Sequence, residues 1–129
     1  MNAPKLTLTL HNHTLAVCRL AHDAPLPDWA LQSHFFSITR TPDELSIVCA
    51  QEVVPDGTTC ERDWRCLKVA GPLDFALTGV LAALVLPLAQ AGISIFAVST
   101  FDTDYLLVKA AATERAIAVL VMAGHTVQG

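Results

Sequence analysis

The hydrophobic pattern is clearest in the second half of the chain, where a helical period changes into an alternating one. Five apolar residues recur at the spacing of one helix face: Leu77, Leu81, Leu84, Val85 and Leu88. This spacing predicts a buried helix. Gly92 is expected to end it, because glycine takes the left-handed conformation of a helix end without strain. Alternation over 93–98 and a second apolar run over 105–108 then predict two strands joined by the polar turn 101–104.

The segments beside this helix predict its two ends. A strand is expected over 64–70, followed by a turn over 71–74. Asp74 is a candidate cap for the helix, because an aspartate side chain accepts a hydrogen bond from a free backbone N–H group. Pro87 lacks an N–H group, so it is expected to bend or end the regular hydrogen bonding.

A second helix is predicted after the two strands. Thr113 is its candidate cap, the helix runs to Ala123, and Gly124 ends it. Its inner face is expected to carry Ile117, Leu120 and Val121. A short strand over 125–128 completes the order strand, helix, strand, strand, helix, strand. This order is typical of a ferredoxin-like antiparallel sheet with its helices on one face.

The first half of the chain has matching strands and weaker helices. Four strands are predicted there: 5–10, 14–20, 35–40 and 45–50. A turn at 11–13 is expected to join the first two strands as a hairpin, and a turn at 41–44 joins the other two. The segment 28–31 is long enough for a short helix only.

The most loop-like segment, 54–59, marks the expected boundary between the halves. We predict a first unit over 1–60 and a second unit over 61–129. The first unit is expected to be a degenerate copy of the second, although no residue-by-residue internal repeat connects them. The predicted fold class is therefore α+β.

The composition indicates a large core and disfavours a nucleic-acid partner. Hydrophobic residues make up 53% of the chain and charged residues 16%, so the chain can bury a sizeable core. The apolar excess indicates that a second copy covers part of the surface. The net charge is −4 and no basic run is present, whereas binding to nucleic acid needs clustered lysine and arginine.

The longest uncharged stretch runs from Phe75 to Thr100 and is long enough to resemble a membrane span. Pro87, Gln90 and Gly92 interrupt it, and its pattern changes at Gly92. We therefore expect a buried helix followed by a buried strand. The first five residues lack the basic and apolar regions of a signal peptide. These features predict a cytoplasmic protein with no membrane partner.

Four cysteines are present: Cys18, Cys49, Cys60 and Cys66. All except Cys60 lie within apolar, strand-like segments, so reduced thiols in the core are favoured. A disulfide between Cys60 and Cys66 and a metal site are the open alternatives.

The remaining polar residues form no catalytic pattern. His11 and His13 are expected to be solvated turn residues, and no pair of histidines has the helical spacing of metal ligands. Ser33 and His34 lack a third partner for nucleophilic catalysis. The sequence therefore predicts neither catalytic residues nor metal ligands.

Three stretches carry a resemblance to a known family: 36–48, 71–79 and 91–109. Together they resemble small bacterial proteins built from two ACT-like units. They are similar to the ACT pairs of the cytosolic arginine sensors of animals and, more distantly, to the regulatory domain of aspartate kinases. The most specific part is Ser99-Thr-Phe-Asp-Thr-Asp-Tyr105. The resemblance implies two ferredoxin-like ACT units (βαββαβ), with an amino acid bound at an interface between units.

Carried onto this chain, the resemblance implies ten ligand-binding residues: Ser37, Ile38, Gly71, Pro72, Leu73, Asp74, Phe75, Thr100, Phe101 and Asp104. The loop 71–74 would offer backbone groups to the amino and carboxylate groups of the ligand. Asp104 would bind an ammonium or guanidinium group through a charge-assisted hydrogen bond. The alternatives are an ordinary turn and helix cap for the loop, a solvent-facing carboxylate for Asp104, and core packing for Phe101.

The sequence thus predicts a non-enzymatic regulatory protein that binds an amino acid or a related metabolite and uses no cofactor. A homodimer is expected to supply the second ACT pair that the longer sensors carry. Ligand binding would then favour one packing of the units over another. The alternative is a structural or interaction protein that pairs through a sheet edge or an apolar face without a ligand. An enzyme is least supported, because the sequence contains no nucleophile–base pair.

Overall fold

A computed structural model describes residues 4–74 and 78–129. In chain order its strands and helices are β1 (Thr7–Leu20), α1 (Asp28–Leu31), β2 (Phe36–Arg40), β3 (Leu45–Ala50), β4 (Cys60–Val69), α2 (Val80–Gln90), β5 (Ile95–Ser99), β6 (Asp104–Lys109), α3 (Thr113–Met122) and β7 (Thr126–Gln128). Single turns of 3-10 helix lie at Gln51–Val53 and Ala110–Ala112. The described residues therefore have the mixed α and β structure that the sequence predicts.

Packing divides the chain into two compact units. The inserted unit is His13–Trp64, and the split unit joins the residues up to Asn12 with Arg65–Gly129. The boundaries lie within β1 and β4, so each of these strands contributes residues to both units. The start of the chain thus belongs with the C-terminal part, which differs from a division between residues 60 and 61. The assignment of 1–60 and 61–129 as the two ACT units stays a prediction.

β3 is the central strand of the inserted unit and is antiparallel to β1 on one side and to β2 on the other. The predicted turn 41–44 is confirmed, since the Thr41 N–H donates to the Glu44 carbonyl at 2.9 Å. α1 is a single turn, as expected for this half of the chain. The core of the unit consists of Ala16, Cys18, Ala30, Leu45, Ile47, Cys49 and Val54.

The predicted hairpin at the start of the chain is wrong, because β1 continues without a turn through residues 11–13. No glycine or proline in this segment requires a bend, and its residues can all adopt extended backbone. The His11 carbonyl accepts a hydrogen bond from Arg65 at 2.9 Å. The His11 ring packs edge-on against Tyr105, with 6.3 Å between ring centroids. Contacts with distant strands therefore hold straight a segment that local sequence would allow to turn.

The strands of the split unit follow the order β7-β1-β4-β6-β5. The predicted order strand, helix, strand, strand, helix, strand is confirmed as β4, α2, β5, β6, α3 and β7. The first half of β1 is an additional strand between β7 and β4. It pairs in parallel with β7, with Leu8 opposite Val127. On its other side the Ala70 N–H donates to the Thr7 carbonyl at 2.7 Å.

The split unit has one core shared by the sheet and the two longer helices. Its fully or largely buried leucines are Leu6, Leu8, Leu67, Leu84, Leu88, Leu106 and Leu120. On α3, Leu120 is buried and Ile117 packs against the core, which confirms two of the three predicted inner positions. Val121 is 51% exposed, so its predicted place on the inner face is wrong. Ala116, one turn before Leu120, is buried instead.

Both predicted N-terminal caps are wrong, whereas the predicted C-terminal ends of both helices are confirmed. α2 begins at Val80 after Gly79, which has a φ of 82°, so Asp74 does not cap it. Thr113 is the first residue of α3, and its hydroxyl donates to the Lys109 carbonyl at 3.2 Å. At the other ends, Gly92 and Gly124 have φ values of 75° and 99°. These are the left-handed conformations that favour glycine.

Pro87 lies inside α2, which continues to Gln90. Because proline has no N–H group, the Ala83 carbonyl has no helical partner four residues later. His125 Nε2 lies 3.1 Å from this carbonyl, and His125 Nδ1 accepts the Leu6 N–H at 3.1 Å. Since Nδ1 is the acceptor, the ring proton is on Nε2 and is donated to Ala83. The buried histidine thus supplies the hydrogen bond that the proline removes.

In the part of the chain that the structure describes, no helix has both the length and the apolar character required to cross a membrane. The helix within the long uncharged stretch, α2, has eleven residues. The expected change from helix to strand within this stretch is confirmed, since α2 is followed by β5.

All four cysteines are free thiols. The alternative of a Cys60–Cys66 disulfide is wrong, because both residues lie on the one extended strand β4, about 20 Å apart at the rise of a strand, which is farther than a disulfide spans. Cys18, Cys49 and Cys66 are buried and Cys60 is half-buried. Burial raises the pKa of Cys66 to about 12, so this thiol stays protonated at neutral pH. Within residues 4–74 and 78–129, no group of three or more histidine, cysteine or carboxylate side chains is arranged to hold a metal ion.

Candidate functional site

The loop after β4, the start of α2 and the turn between β5 and β6 enclose a pocket of about 190 Å³ in the split unit. Its lining residues are Leu73, Asp74, Val80, Ser99, Thr100, Phe101, Thr103 and Asp104. The pocket is open to solvent on one side and combines apolar walls with hydroxyl and carboxylate groups. Such a mixture is typical of small-molecule sites.

Direct contacts hold the loop after β4 against the β5–β6 turn. The Leu73 N–H donates to the Asp102 carbonyl at 2.7 Å, and the Thr103 hydroxyl donates to the Val69 carbonyl at 2.7 Å. A Cβ added at Gly71 would lie 3.0 Å from the Asp102 carbonyl oxygen and 3.1 Å from Thr103 Cβ. A side chain at this position would therefore push the loop and the turn apart. Glycine permits the close approach that shapes the pocket.

The β5–β6 turn forms one wall of the pocket and is held by hydrogen bonds within the turn. The Thr100 N–H donates to the Thr103 carbonyl at 2.8 Å, and the Thr103 N–H donates to the Thr100 hydroxyl at 3.3 Å. Thr103 is buried, whereas Phe101 at the tip of the turn is 81% exposed. Core packing of Phe101 is therefore wrong as an interpretation, and its ring lies at the rim of the pocket.

Asp104 is the carboxylate that the site orients most clearly. It faces Ser99 as the last pair of the β5–β6 ladder, and the Ser99 hydroxyl donates to Asp104 Oδ1 at 2.6 Å. Asp104 is half-buried rather than fully solvated. A carboxylate accepts several hydrogen bonds, so Asp104 retains the capacity to accept a donor from a ligand.

Five of the ten predicted site residues line this one pocket: Leu73, Asp74, Thr100, Phe101 and Asp104. Gly71 and Pro72 precede them in the same loop and are joined by a cis peptide bond. Phe75 lies outside the described residues. Ser37 and Ile38 lie on β2 of the inserted unit, where Ile38 packs against that unit's own core. The role of Ser37 and Ile38 at a shared site stays a prediction.

Three lining residues were missed by the sequence interpretation: Val80, Ser99 and Thr103. Ser99 and Thr103 belong to the stretch that carries the resemblance, and Ser99 lies where a hairpin centred on 101–102 places it opposite Asp104. Val80 offered no such signal, because the helix was expected to begin just after Asp74. Val80 lines the pocket because it is the first residue of α2.

The charged groups among the described lining residues are both acidic: Asp74 and Asp104. Two carboxylates at one pocket favour a ligand that brings a positive charge, because a charge-assisted hydrogen bond is stronger than a neutral one. The Leu73 N–H is already bonded to Asp102, and Pro72 has no N–H group. The loop therefore has fewer backbone donors for a ligand carboxylate than its length indicates.

A second, smaller cavity of about 90 Å³ lies within the inserted unit. Its lining residues are His13, Leu15, Gln32, Ser33, His34, Phe35, Ala50, Glu52 and Val53. The buried Ser33 hydroxyl donates to the Phe35 carbonyl at 2.6 Å and accepts the Ala50 N–H at 2.9 Å. Both bonds tie Ser33 to the backbone, which gives it a structural role.

Two family models match the chain. The ACT domain model matches residues 59–121. This range includes the loop 71–74, α2 and the β5–β6 hairpin that line the pocket, and all of α3 except Met122. A separate model, described as an N-terminal domain, matches residues 13–57. Its range falls within the inserted unit.

The chain is similar to proteins from bacteria and animals. A solved structure of an Agrobacterium tumefaciens protein has 41% sequence identity and a TM-score of 0.92, with 97% of this chain and 93% of that chain covered. The cytosolic arginine sensor for mTORC1 subunit 1 of Bos taurus is 29% identical over 86 residues, which cover 58% of this chain and 26% of the sensor.

The regulatory subunit of aspartate kinase from Thermus thermophilus shares the fold, with a TM-score of 0.62 and 13% identity over 87% of this chain and 93% of that chain. This chain spans about half of one curated human relative, at 53%, and about a quarter of the bovine sensor. The matched region carries the strand and helix order of the ferredoxin-like fold, the loop at Gly71 and the turn at Phe101. Residues 59–121 of the chain therefore belong to the ACT-domain family.

Proposed function

We propose that this protein is a non-enzymatic regulatory protein that binds an amino acid, or a related small metabolite, in the pocket of the split unit. The observation that carries the proposal is the meeting of the loop 71–74 with the turn 99–104 around one cavity, beside an Asp104 carboxylate oriented by Ser99. The family membership supports it, since the matched relatives include an arginine sensor and a regulatory subunit of a kinase.

The chemistry of the pocket favours recognition of the ligand's positive charge. Asp74 and Asp104 both contribute to its lining, and each carboxylate can accept a hydrogen bond from an ammonium or guanidinium group. The Thr103 hydroxyl is bonded to Val69 and helps to hold the turn. Ligand binding would then depend more on Asp104 than on the threonines of the turn.

We further propose that the ligand lies at an interface between ACT units of a cytoplasmic homodimer. The exposed Phe101 ring at the rim of the pocket supports this arrangement, because an exposed aromatic side chain beside a site is often covered on association. Ser37 and Ile38 would contribute from the inserted unit. A ligand that contacts two units would favour the packing in which both contacts form.

A second candidate function is an interaction protein that binds no small molecule. Large apolar side chains are exposed on the helices of the split unit, among them Leu86, Val121 and Met122. Phe36 is also exposed, at the start of the strand β2. Exposed apolar side chains are typical of protein interfaces where they form one patch. On this alternative, Asp104 would matter only for stability.

The test is a thermal-shift screen of the full 129-residue chain with the common amino acids, followed by calorimetric titration of each that raises Tm. We expect a dose-dependent rise, because a ligand that binds only the folded state stabilises it by mass action. Asp104→Asn should abolish the rise. Asp102→Asn is the matched control, since Asp102 lies in the same turn and only its backbone carbonyl contacts the loop.

The two candidate functions predict different results in this screen. If no amino acid changes Tm and calorimetry shows no heat of binding, the amino-acid proposal is wrong. If Asp102→Asn and Asp104→Asn reduce binding equally, a general loss of acidic charge is responsible and the assigned role of Asp104 fails. Light scattering with and without the ligand tests whether a dimer forms or tightens.

A further inference from the structure

Three of the four thiols meet within the inserted unit, although they come from distant parts of the chain. Cys18 is on β1, Cys49 on β3 and Cys60 at the start of β4. In the β1–β3 ladder, Cys18 lies opposite Ile47 and Cys49 lies opposite Ala16. Cys18 and Cys49 are therefore diagonal neighbours on the same face of the sheet. Both are fully buried in the core of this unit, and Cys60 packs against that core.

Cys18 and Cys60 are direct neighbours across β1 and β4. The Arg19 N–H donates to the Thr59 carbonyl at 2.9 Å. In an antiparallel ladder this bond places the preceding residue, Cys18, opposite the following residue, Cys60, as a non-hydrogen-bonded pair. The Cα atoms of such a pair are about 4.5 Å apart, which is within the range that a disulfide bond spans, about 4.4–6.8 Å.

The thiols interact with one another and with a nearby cation. A hydrogen bond with Cys49, and then burial, raise the pKa of Cys18, while the same bond lowers the pKa of Cys49. Burial and then Cys18 raise the pKa of Cys60, and Arg62 offsets only part of this rise. Cys18 thus interacts with both Cys49 and Cys60, as its place between them in the sheet predicts. Cys60 is the most accessible of the three, because it is only half-buried.

We propose that Cys18 and Cys60 form an intramolecular disulfide bond when the protein meets a peroxide, so that the inserted unit carries a reversible oxidation site. This proposal goes beyond amino-acid binding and does not rest on it, because the thiols and the acidic pocket belong to different units.

The reaction balances with hydrogen peroxide as the oxidant. The Cys60 thiolate attacks one peroxide oxygen, the O–O bond breaks, and the products are a sulfenic acid and hydroxide, which takes up the proton that Cys60 released to give water. The Cys18 sulfur then attacks the Cys60 sulfur, and the sulfenic oxygen leaves as water with the Cys18 proton. Two thiols are oxidised to one disulfide, and one peroxide is reduced to two waters.

The location of Cys66 makes it an internal control. It is buried in the split unit, and burial is the cause that raises the pKa of its thiol to about 12. Oxidation also requires that the peroxide reach the sulfur, so the buried Cys66 should remain unmodified when the half-buried Cys60 reacts. Replacement of Cys66 should leave the oxidation of the inserted unit unchanged.

The experiment treats the full chain with hydrogen peroxide, blocks free thiols with iodoacetamide under denaturing conditions, and maps peptides by mass spectrometry without reduction. We expect a linked peptide pair containing Cys18 and Cys60, which dithiothreitol releases. The oxidised protein should have a higher Tm, since a crosslink between residues 18 and 60 restricts the unfolded chain. Cys66→Ser should give the same linked pair, and Cys60→Ser should not.

Several results would overturn the proposal. They are oxidation of Cys60 to a sulfinic acid with no linked pair, a link between two chains in place of an internal one, or a linked pair that includes Cys66. The mapping of the wild-type chain decides the outcome even if Cys60→Ser fails to fold. A second variant, Cys49→Ala, should keep the Cys18–Cys60 pair, and its loss there would show that Cys49 is the true partner.

Discussion

The split unit and the inserted unit have strands of similar length but very different helices. α2 has eleven residues and α3 has ten, whereas α1 has four. Leucine is the main residue type in the core of the split unit. In the inserted unit, alanine and cysteine account for four of the seven core residues. The inserted unit also buries Leu15, Leu45 and Ile47 completely, so its core differs by its larger share of small side chains.

The difference shows what a pocket in this fold requires. In the split unit, the start of α2 supplies the Val80 wall, and the loop at Gly71 contacts the turn at Thr103. In the inserted unit, the cavity has about half the volume, and its buried Ser33 hydroxyl is bonded to the backbone on both sides. The start of α2 and the loop 71–74 therefore supply walls of the larger pocket.

The largest expected effect is the loss of stability when a core leucine of the split unit is truncated. Leu84 is fully buried, so Leu84→Ala should lower the free energy of unfolding by about 2–5 kcal/mol. Leu86→Ala on the same helix is the control, because Leu86 is 58% exposed. Cys49→Ala in the inserted unit removes a smaller side chain and should cost less than Leu84→Ala. Urea unfolding measures all three, and equal costs would contradict the contrast between the cores.

A second effect tests how the split unit tolerates proline in a long helix. His125→Ala removes the donor to the Ala83 carbonyl and the acceptor for the Leu6 N–H, and should cost about 1–3 kcal/mol. Pro87→Ala restores an N–H group to the helix. In that background, His125→Ala should cost less, because Ala83 has a helical partner again. The same cost in both backgrounds would show that the histidine and the proline act independently.

A third effect tests whether the contact between the loop 71–74 and the β5–β6 turn shapes the pocket of the split unit. Gly71→Ala places a Cβ against the Asp102 carbonyl and Thr103. Overpacking of this kind should cost about 1–3 kcal/mol, and the displaced loop should weaken the amino-acid-dependent rise in Tm. Thermal melts with and without the ligand measure both changes. An unchanged ligand response would show that this contact does not shape the site.

The smallest effect concerns the isolated thiol of the split unit. Burial raises the pKa of Cys66 from 9.0 to about 12. Between these values the unfolded chain loses the proton and the folded chain keeps it, so this thiol makes stability fall as pH rises. The part of stability that Cys66 contributes is fully present below pH 9.0. Urea unfolding across this range should show a shallower decline for Cys66→Ala, and an unchanged slope would contradict the assignment.

Much of the split unit was predictable because its signals are local. The order β4, α2, β5, β6, α3, β7 follows from the apolar periods, and Gly92 and Gly124 end the helices as expected. At the site, Asp74 and Asp104 were expected at one pocket and both line it. The expected caps failed, because α2 begins six residues after Asp74 and α3 begins at Thr113 itself.

Local sequence was sufficient to predict the order from β4 to β7, the C-terminal ends of α2 and α3 and the polar turn at 101–104, since each depends on residues close together in the chain. Tertiary structure decided that β1 passes straight through residues 11–13 and lies between β7 and β4. It also brought Cys18, Cys49 and Cys60 together and placed His125 beside the carbonyl that Pro87 leaves without a partner. These features are pairings between residues far apart in sequence. The local hydrophobic periodicity of a segment does not predict which distant strand or side chain it will contact. The physical reason is that backbone and buried polar groups must find hydrogen-bond partners, and the packed chain determines which ones are within reach.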